Sequence, residues 1–182
     1  MKRNMEYSFS KIVHNRLALL LEMIENISQK CKEYGFNRQS FYNIKAQNNE
    51  IYLQTFFKLA KMLKISPAKL LEICLLENKM NSEIKSLYLE NLSENEYEFD
   101  YKKLKSIYSE RRTNLKEEGD TLVDILNEKS KEGLILEQRQ IENVLAGKNC
   151  SLKAYLYTCE LLKISPIETM KNCIKEEKKW QL

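Results

Sequence analysis

Arg38, Gln39 and Asn43 stand close together in the sequence and carry side chains that make paired hydrogen bonds to planar partners. A guanidinium group donates two parallel N–H bonds, whereas a carboxamide donates one bond and accepts another. These patterns match the exposed edges of guanine and of adenine, respectively. Similar side chains recur within residues 138–143. The chemistry that these residues favour is therefore recognition by hydrogen bonding.

Residues that support catalysis or hold metals are scarce by comparison. His14 is the only histidine, so the chain cannot assemble a His-rich metal site or a Ser/His/Asp triad. Paired acid and base groups and phosphate-binding loops are also missing from the sequence. The five cysteines are odd in number and have no C-x-x-C spacing, which argues against a disulfide framework or a zinc site. We expect the cysteines to be core residues, and we expect no enzyme activity, no metal and no cofactor.

The composition predicts an all-α protein with one large domain or two small ones. The chain has 182 residues, of which 43% are hydrophobic and 31% charged, and this balance suits a folded protein with a buried core. Only 4 Gly and 2 Pro are present, too few for the frequent turns of a many-stranded β protein. The apolar segment 17–21 ends at Glu22 and is too short for a signal peptide or a membrane span. We therefore expect a cytoplasmic protein with no membrane partner, and the bias towards Lys and Asn points to an AT-rich bacterial or phage genome.

The sequence repeats itself at an offset of 99 residues. The pentapeptide Leu-Lys-Ile-Ser-Pro occupies residues 63–67 and again 162–166. The match continues on both sides without a gap, for example in the pairs Leu53 and Leu152, Phe56 and Tyr155, and Cys74 and Cys173. This period is too long for a solenoid repeat. It predicts two related small domains, residues 1–78 and 119–182, joined by a helical connector at 79–118.

Apolar periodicity and capping residues predict the helices of the first domain. The spacing of Asn26–Gln29 is that of a capping box, and Gly35 supplies the positive φ that ends the helix after it. Asn37 should cap the following helix, which buries Phe41 and Ile44 and leaves its polar residues outside. The predicted helices are 12–25, 27–34, 38–47, 52–64 and a short one that starts at Ser66-Pro67, with equivalents of the last two at 151–163 and after Ser165-Pro166.

Residues 34–44 and 53–66 together resemble the phage-repressor, Cro and Xre family of helix-turn-helix proteins. The resemblance rests on the turn Gly35-Phe36-Asn37 and on the spacing of Leu, Thr, Phe, Ala and Ser residues in 53–66. It implies a five-helix, lambda-repressor-like DNA-binding domain in which helix 38–47 enters the major groove. Lys45 and Gln47 stand where the family usually has an acidic residue and a glycine. These departures predict a different helix exit and an extra cation near the phosphates.

The resemblance implies double-stranded DNA as the partner and assigns roles to individual residues. The expected base readers are Arg38, Gln39 and Asn43. Phosphates would be held by Lys30, Ser40, Lys45, Asn48 and Asn49, and by backbone amides at the helix starts. Charge agrees with this assignment, because residues 1–78 hold 12 Lys/Arg against 7 Asp/Glu, whereas 79–118 carry a net charge of −1 and 119–182 a net charge of 0.

The second copy is divergent. Residues 141–148 resemble the end of a recognition helix with its Gly147 retained, and 151–165 resemble the helix after it. A first helix is predicted at 121–129, but residues 132–136 leave little room for a normal second helix. The positions that match the base readers of the first copy are Gln138, Arg139 and Asn143. The neutral charge of this copy favours a packing role or a protein partner more than independent DNA reading.

The connector and the mode of assembly each leave two alternatives. Ser93–Glu96 has capping-box spacing, and the apolar rhythm of Tyr97, Tyr101, Leu104 and Tyr108 predicts a helix of about 20 residues. That helix either packs on its own domains or forms a dimer seam. Half-sites about 10 bp apart would be met either by a homodimer or by the two copies in one chain.

The sequence thus favours a sequence-specific DNA-binding transcriptional regulator. The alternative is a mobile-element protein-binding module, such as a host-defence inhibitor or an antitoxin, that uses the helix-turn-helix scaffold, the second domain or the connector as an interaction surface.

Overall fold

The computed structural model describes residues 8–47, 50–93, 95–119, 121–131 and 138–177, and within these ranges the protein is all-α with one short two-stranded ribbon. The helices are α1 (Ser8–Leu21), α2 (Ile27–Glu33), α3 (Arg38–Lys45), α4 (Leu53–Met62), α5 (Pro67–Leu75), α6 (Asn81–Glu90), α7 (Tyr101–Glu117), α8 (Leu122–Lys131), α9 (Gln138–Leu145), α10 (Leu152–Leu161) and α11 (Pro166–Cys173). Strand β1 (Glu96–Phe99) precedes α7, and strand β2 (Ile174–Glu177) follows α11. The predicted all-α class is confirmed.

The turn between α2 and α3 forms as predicted. Gly35 has φ of +58° and ends α2 in the left-handed region that glycine enters without steric cost. The Asn37 side chain then accepts a hydrogen bond from the Ser40 amide at 2.9 Å, which caps the start of α3. Phe41 and Ile44 are buried, so they fix which face of α3 turns inward.

The predicted capping box at Asn26–Gln29 is wrong, although α2 does begin at Ile27. Asn26 lies in the left-handed region, with φ of 52° and ψ of 46°, and its side chain makes no capping bond. Its carbonyl accepts the first helical bond from the Lys30 amide at 3.0 Å. Helix α1 also ends at Leu21, four residues before the predicted boundary, because a tight turn at 22–23 leads into Asn26.

The exit of α3 has the same form as the exit of α9. Gln47 adopts φ of +61°, and Gly147 adopts φ of +66° at the corresponding exit of α9. The amide of Gln47 donates to the carbonyl of Ile44, as that of Gly147 does to Val144. Hydrogen bonding at the helix end therefore imposes one conformation on both residues.

The connector differs from a single long helix. Residues 96–99 form β1, which pairs antiparallel with β2, so the predicted capping box at Ser93–Glu96 is wrong. Asp100 caps α7 instead, accepting hydrogen bonds from the Lys102 and Lys103 amides, both at 3.0 Å. Three apolar residues of α7 are buried within the chain, namely Leu104, Tyr108 and Leu115, and the partly buried Tyr101 and Ile107 pack against the same core. This is the packed-helix alternative, and it leaves no apolar stripe for a dimer seam.

One hydrophobic core runs through the whole described chain, from Val13 to Cys173. Phe99 links its parts, because its ring makes edge-on contacts with Phe57, Tyr101 and Tyr155 at centroid distances of 4.9–6.5 Å. All five cysteines are buried and free, which confirms them as core residues. The two ends of the sequence are thus packed into one body.

Segments that are equivalent in sequence contact one another in this body. Helices α5 and α11 pack together. The residues that precede α4 and α10 form an antiparallel bridge between Tyr52 and Ser151. The backbone also repeats, because Lys64 and Lys163 both lie at the left-handed exits of their helices, with φ of 53° and 54°.

Candidate nucleic-acid interface

The outward face of α3 carries the three predicted base readers. Arg38 and Gln39 are exposed in the first turn, and Asn43 is half-buried one turn later. They face away from the core because Phe41 and Ile44 occupy the opposite side at a three-residue spacing. The structure therefore brings all three to one solvent-facing surface.

Two contacts between residues one turn apart order this face. The Arg38 guanidinium lies over the Tyr42 ring at 5.6 Å, and the Gln39 Nε2 donates to Asn43 Oδ1 at 3.0 Å. The second contact leaves the Gln39 Oε1 as an acceptor and the Asn43 NH₂ as a donor. An adenine edge offers the complementary donor and acceptor, N6 and N7. The pair can therefore read one adenine jointly.

Ser40 is committed to the helix cap. Its amide donates to the Asn37 side chain, and its hydroxyl lies 3.4 Å from the same oxygen. A phosphate contact through Ser40 would have to share these groups with Asn37.

Lys30 and Lys45, both predicted to contact phosphates, line different clefts. Lys30 pairs with Glu33 at 3.0 Å and lies over the Tyr34 ring at 5.4 Å. Its hydrogen bond to the Glu33 carboxylate raises the pKa of Lys30 above its usual value and lowers the pKa of Glu33. The Lys30 cleft, an open space of about 550 Å³, also contains three lysines of α4 and its exit: Lys58, Lys61 and Lys64.

Lys45 belongs to a second open cleft of about 620 Å³ at the far end of α3. Arg16 of α1, Lys79 and Glu22 line the same cleft, so it holds three cations and one carboxylate. Lys79 also pairs with Glu83 at 3.0 Å. Arg16 is held by hydrogen bonds to the Lys79 carbonyl at 2.5 Å and to Asn81 Oδ1 at 3.2 Å. Arg16 and Lys79 were missed by the sequence analysis, because they are distant in sequence and meet α3 only through tertiary packing.

In the second copy, the structure describes the side chains of two of the three predicted base readers. Arg139 is exposed and Asn143 half-buried on α9, opposite the buried Ile141 and Val144. The exposed Glu142 lies on the same helix and adds a negative charge. The side chain of Gln138, and Asn48 and Asn49 of the first copy, lie outside the described part of the chain.

Gly147 sits where α9 ends against α7. A Cβ on this residue would lie 2.5 Å from the Tyr101 carbonyl oxygen and 3.0 Å from the Lys105 Cβ. The neighbouring Asn149 accepts a hydrogen bond from the Tyr101 hydroxyl at 3.0 Å. The exit of α9 is therefore fixed on α7 by close backbone packing.

The described residues also bear on a metal site, on reactive thiols and on a membrane-spanning helix. No three His, Cys, Asp or Glu side chains lie together in a way that could hold a metal ion. Burial raises the pKa of the Cys74, Cys150, Cys159 and Cys173 thiols to about 12, so these groups stay protonated. None of the described helices combines the length and apolarity that crossing a bilayer requires.

Comparison with known proteins gave no match, since no family model, curated protein or solved structure is similar enough to this chain to count as a relative.

Proposed function

We propose that the protein is a sequence-specific DNA-binding regulator that inserts α3 into the major groove. The observation that carries the proposal is the outward-facing row of Arg38, Gln39 and the half-buried Asn43 on a short helix. The opposite face of that helix is anchored by Phe41 and Ile44. A helix of this width fits the major groove, and these side chains complement purine edges.

Cations around α3 support the proposal. Lys45, Arg16 and Lys79 line the cleft at the end of α3, where backbone phosphates would flank an inserted helix. Neutralising phosphates releases counterions, so the affinity should fall steeply with salt, by about 0.9 in log-log slope per phosphate.

We also propose that the architecture consists of two lambda-repressor-like units, α1–α5 and α7–α11. Support comes from the contacts within each set, because α1 packs on α3 and α5 as α7 packs on α9 and α11. In this assignment α7 belongs to the second unit rather than to a connector. The last helix of the second unit, α11, corresponds to α5 of the first unit.

The test is a gel-shift titration on DNA selected from a random pool. Each good bidentate base contact is worth about 1–3 kcal/mol, so Arg38→Ala and Asn43→Ala should each weaken binding about 5- to 150-fold. Arg112→Ala, an exposed arginine of α7, is the matched control and should change nothing. Unchanged affinity in both α3 variants, with the fold intact by circular dichroism, would contradict the proposal.

A phosphate contact has a different signature. Lys45→Ala should weaken binding to all sequences alike and reduce the salt slope by about 0.9. Lys116→Ala, an exposed lysine of α7, is its control and should leave the slope unchanged.

The second candidate function is a protein-binding module. One observation favours it, because α8 exposes the apolar residue Val123, which is 65% accessible. Retention of a protein partner, together with no retention on DNA at low salt, would select this function over DNA binding.

A further inference from the structure

The bridge between the two halves has the form of a two-fold interface. The amide of Leu53 donates to the carbonyl of Cys150 at 2.9 Å, and the amide of Leu152 donates to the carbonyl of Ile51 at 2.6 Å. The two donors, Leu53 and Leu152, are 99 residues apart in the sequence, and so are the two acceptors, Ile51 and Cys150. Such an exchange, in which i contacts j and j contacts i, defines an isologous interface.

A second contact follows the same rule. Helices α5 and α11, which are equivalent in sequence, pack against each other. Both contacts join equivalent segments, which is the pattern that a local two-fold axis between Tyr52 and Ser151 would produce in α4–α5 and α10–α11. The interface that would join two chains in a symmetric dimer is thus occupied within a single chain.

The side chains at this interface are unlike, so two identical halves could not reproduce it. Asn149 accepts a hydrogen bond from the Gln54 amide at 3.3 Å, and its Nδ2 lies 3.4 Å from Gln54 Oε1. The residues equivalent to Asn149 and Gln54 are Glu50 and Lys153. The contact therefore favours one half pairing with the other half over pairing with its own copy.

The two outward helices are unlike in the same way. Arg38 and Gln39 of α3 correspond to Gln138 and Arg139 of α9, in exchanged order, and Tyr42 corresponds to Glu142. A glutamate accepts a hydrogen bond from cytosine N4, which tyrosine at this position of α3 does not match. Placed in a major groove, the two helices would therefore match different bases.

We propose that one chain acts as an internal dimer and binds a non-palindromic duplex, with α3 on one half-site and α9 on a different one. The inference rests on the proposed function, and it assigns Arg139, Glu142 and Asn143 as specificity residues of the second half-site. The half-site centres should lie about one helical turn, roughly 10 bp, apart.

The experiment combines stoichiometry with sequence selection on the full-length chain. Sedimentation should show a monomer without DNA and one chain per duplex with DNA. The sequence selected from a random pool should be asymmetric. Repeating the selection with Arg38→Ala should relax one end of that sequence, and Arg139→Ala the other end, each with a loss of affinity of about 5- to 150-fold. The control Arg112→Ala should relax neither end.

The outcomes separate the two proposals. Two chains on a palindrome, or a selected sequence that Arg139→Ala leaves unchanged while Arg38→Ala alters it, would overturn the internal dimer and leave DNA binding intact. Absence of any DNA selection by the folded wild-type chain would overturn both the proposed function and this inference.

Discussion

Replacing Gly147 by alanine tests how closely the end of α9 packs against α7. The new Cβ would lie 2.5 Å from the Tyr101 carbonyl oxygen, well inside van der Waals contact, and 3.0 Å from the Lys105 Cβ. One of these atoms is a backbone oxygen of α7 and the other is a Cβ attached directly to its backbone. Neither can move aside as the far end of a flexible side chain would. Forcing such an overlap typically costs about 1–3 kcal/mol.

The backbone conformation of Gly147 adds a second cost. Its φ of +66° is left-handed, which costs a residue with a side chain about 1–2 kcal/mol. Together the two effects predict a loss of about 2–5 kcal/mol, a large share of the 5–15 kcal/mol that stabilises a typical domain. For a chain of this length the expected fall in Tm is on the order of 10 °C.

Gly35→Ala is the matched control for this prediction. Gly35 has φ of +58°, but nothing lies within 4 Å of a Cβ built on it, so only the conformational cost of about 1–2 kcal/mol applies. Urea unfolding of both variants measures the two free energies. If Gly147→Ala is no less stable than Gly35→Ala, the close packing of α9 on α7 is refuted.

Three further predictions follow from features of single residues. Gln47→Gly should stabilise the protein by about 1 kcal/mol in urea unfolding, because Gln47 already holds a left-handed φ of +61°; destabilisation would contradict this conformation. Lys175, whose Nζ lies 2.7 Å from the carboxylate, lowers the pKa of Asp100. The stability that the ionised Asp100 adds to the folded protein is therefore fully present above the carboxyl pKa of the unfolded chain, about 4. It is lost as the pH falls through the lower pKa that Asp100 has in the folded protein. Asp100→Asn should flatten that part of the stability–pH curve, and an unaltered curve would refute the pairing. A thiol reagent at pH 8 should label none of the buried cysteines until the protein unfolds, and rapid labelling of native protein would contradict their burial.

The sequence predicted α3 and the turn before it well because their signals are local. Gly35, Asn37 and the spacing of Phe41 and Ile44 act within one or two helical turns, and each has the predicted conformation or burial. The outward placement of Arg38 and Gln39 follows directly from that spacing. Asn26 shows the limit of local rules, because asparagine tolerates a left-handed conformation and here adopts it instead of capping with its side chain.

Features that depend on distant residues were not predicted. Strand β1 pairs with residues far along the chain, and its Tyr97 also fits a helical rhythm with Tyr101, Leu104 and Tyr108 of α7. The cleft that joins Arg16, Lys45 and Lys79 requires α1, α3 and the start of α6 to pack together. No spacing within a single segment encodes either arrangement.

The continuous core limits which parts of this chain can be lost during evolution. The Leu152 amide donates to the Ile51 carbonyl across the bridge, and both residues are buried, so loss of either half would leave apolar residues of the other uncovered. The linkage also confers a freedom that separate, identical subunits lack. A mutation in α3 is not copied into α9, so each helix can acquire its own substitutions while the shared interior keeps both in place.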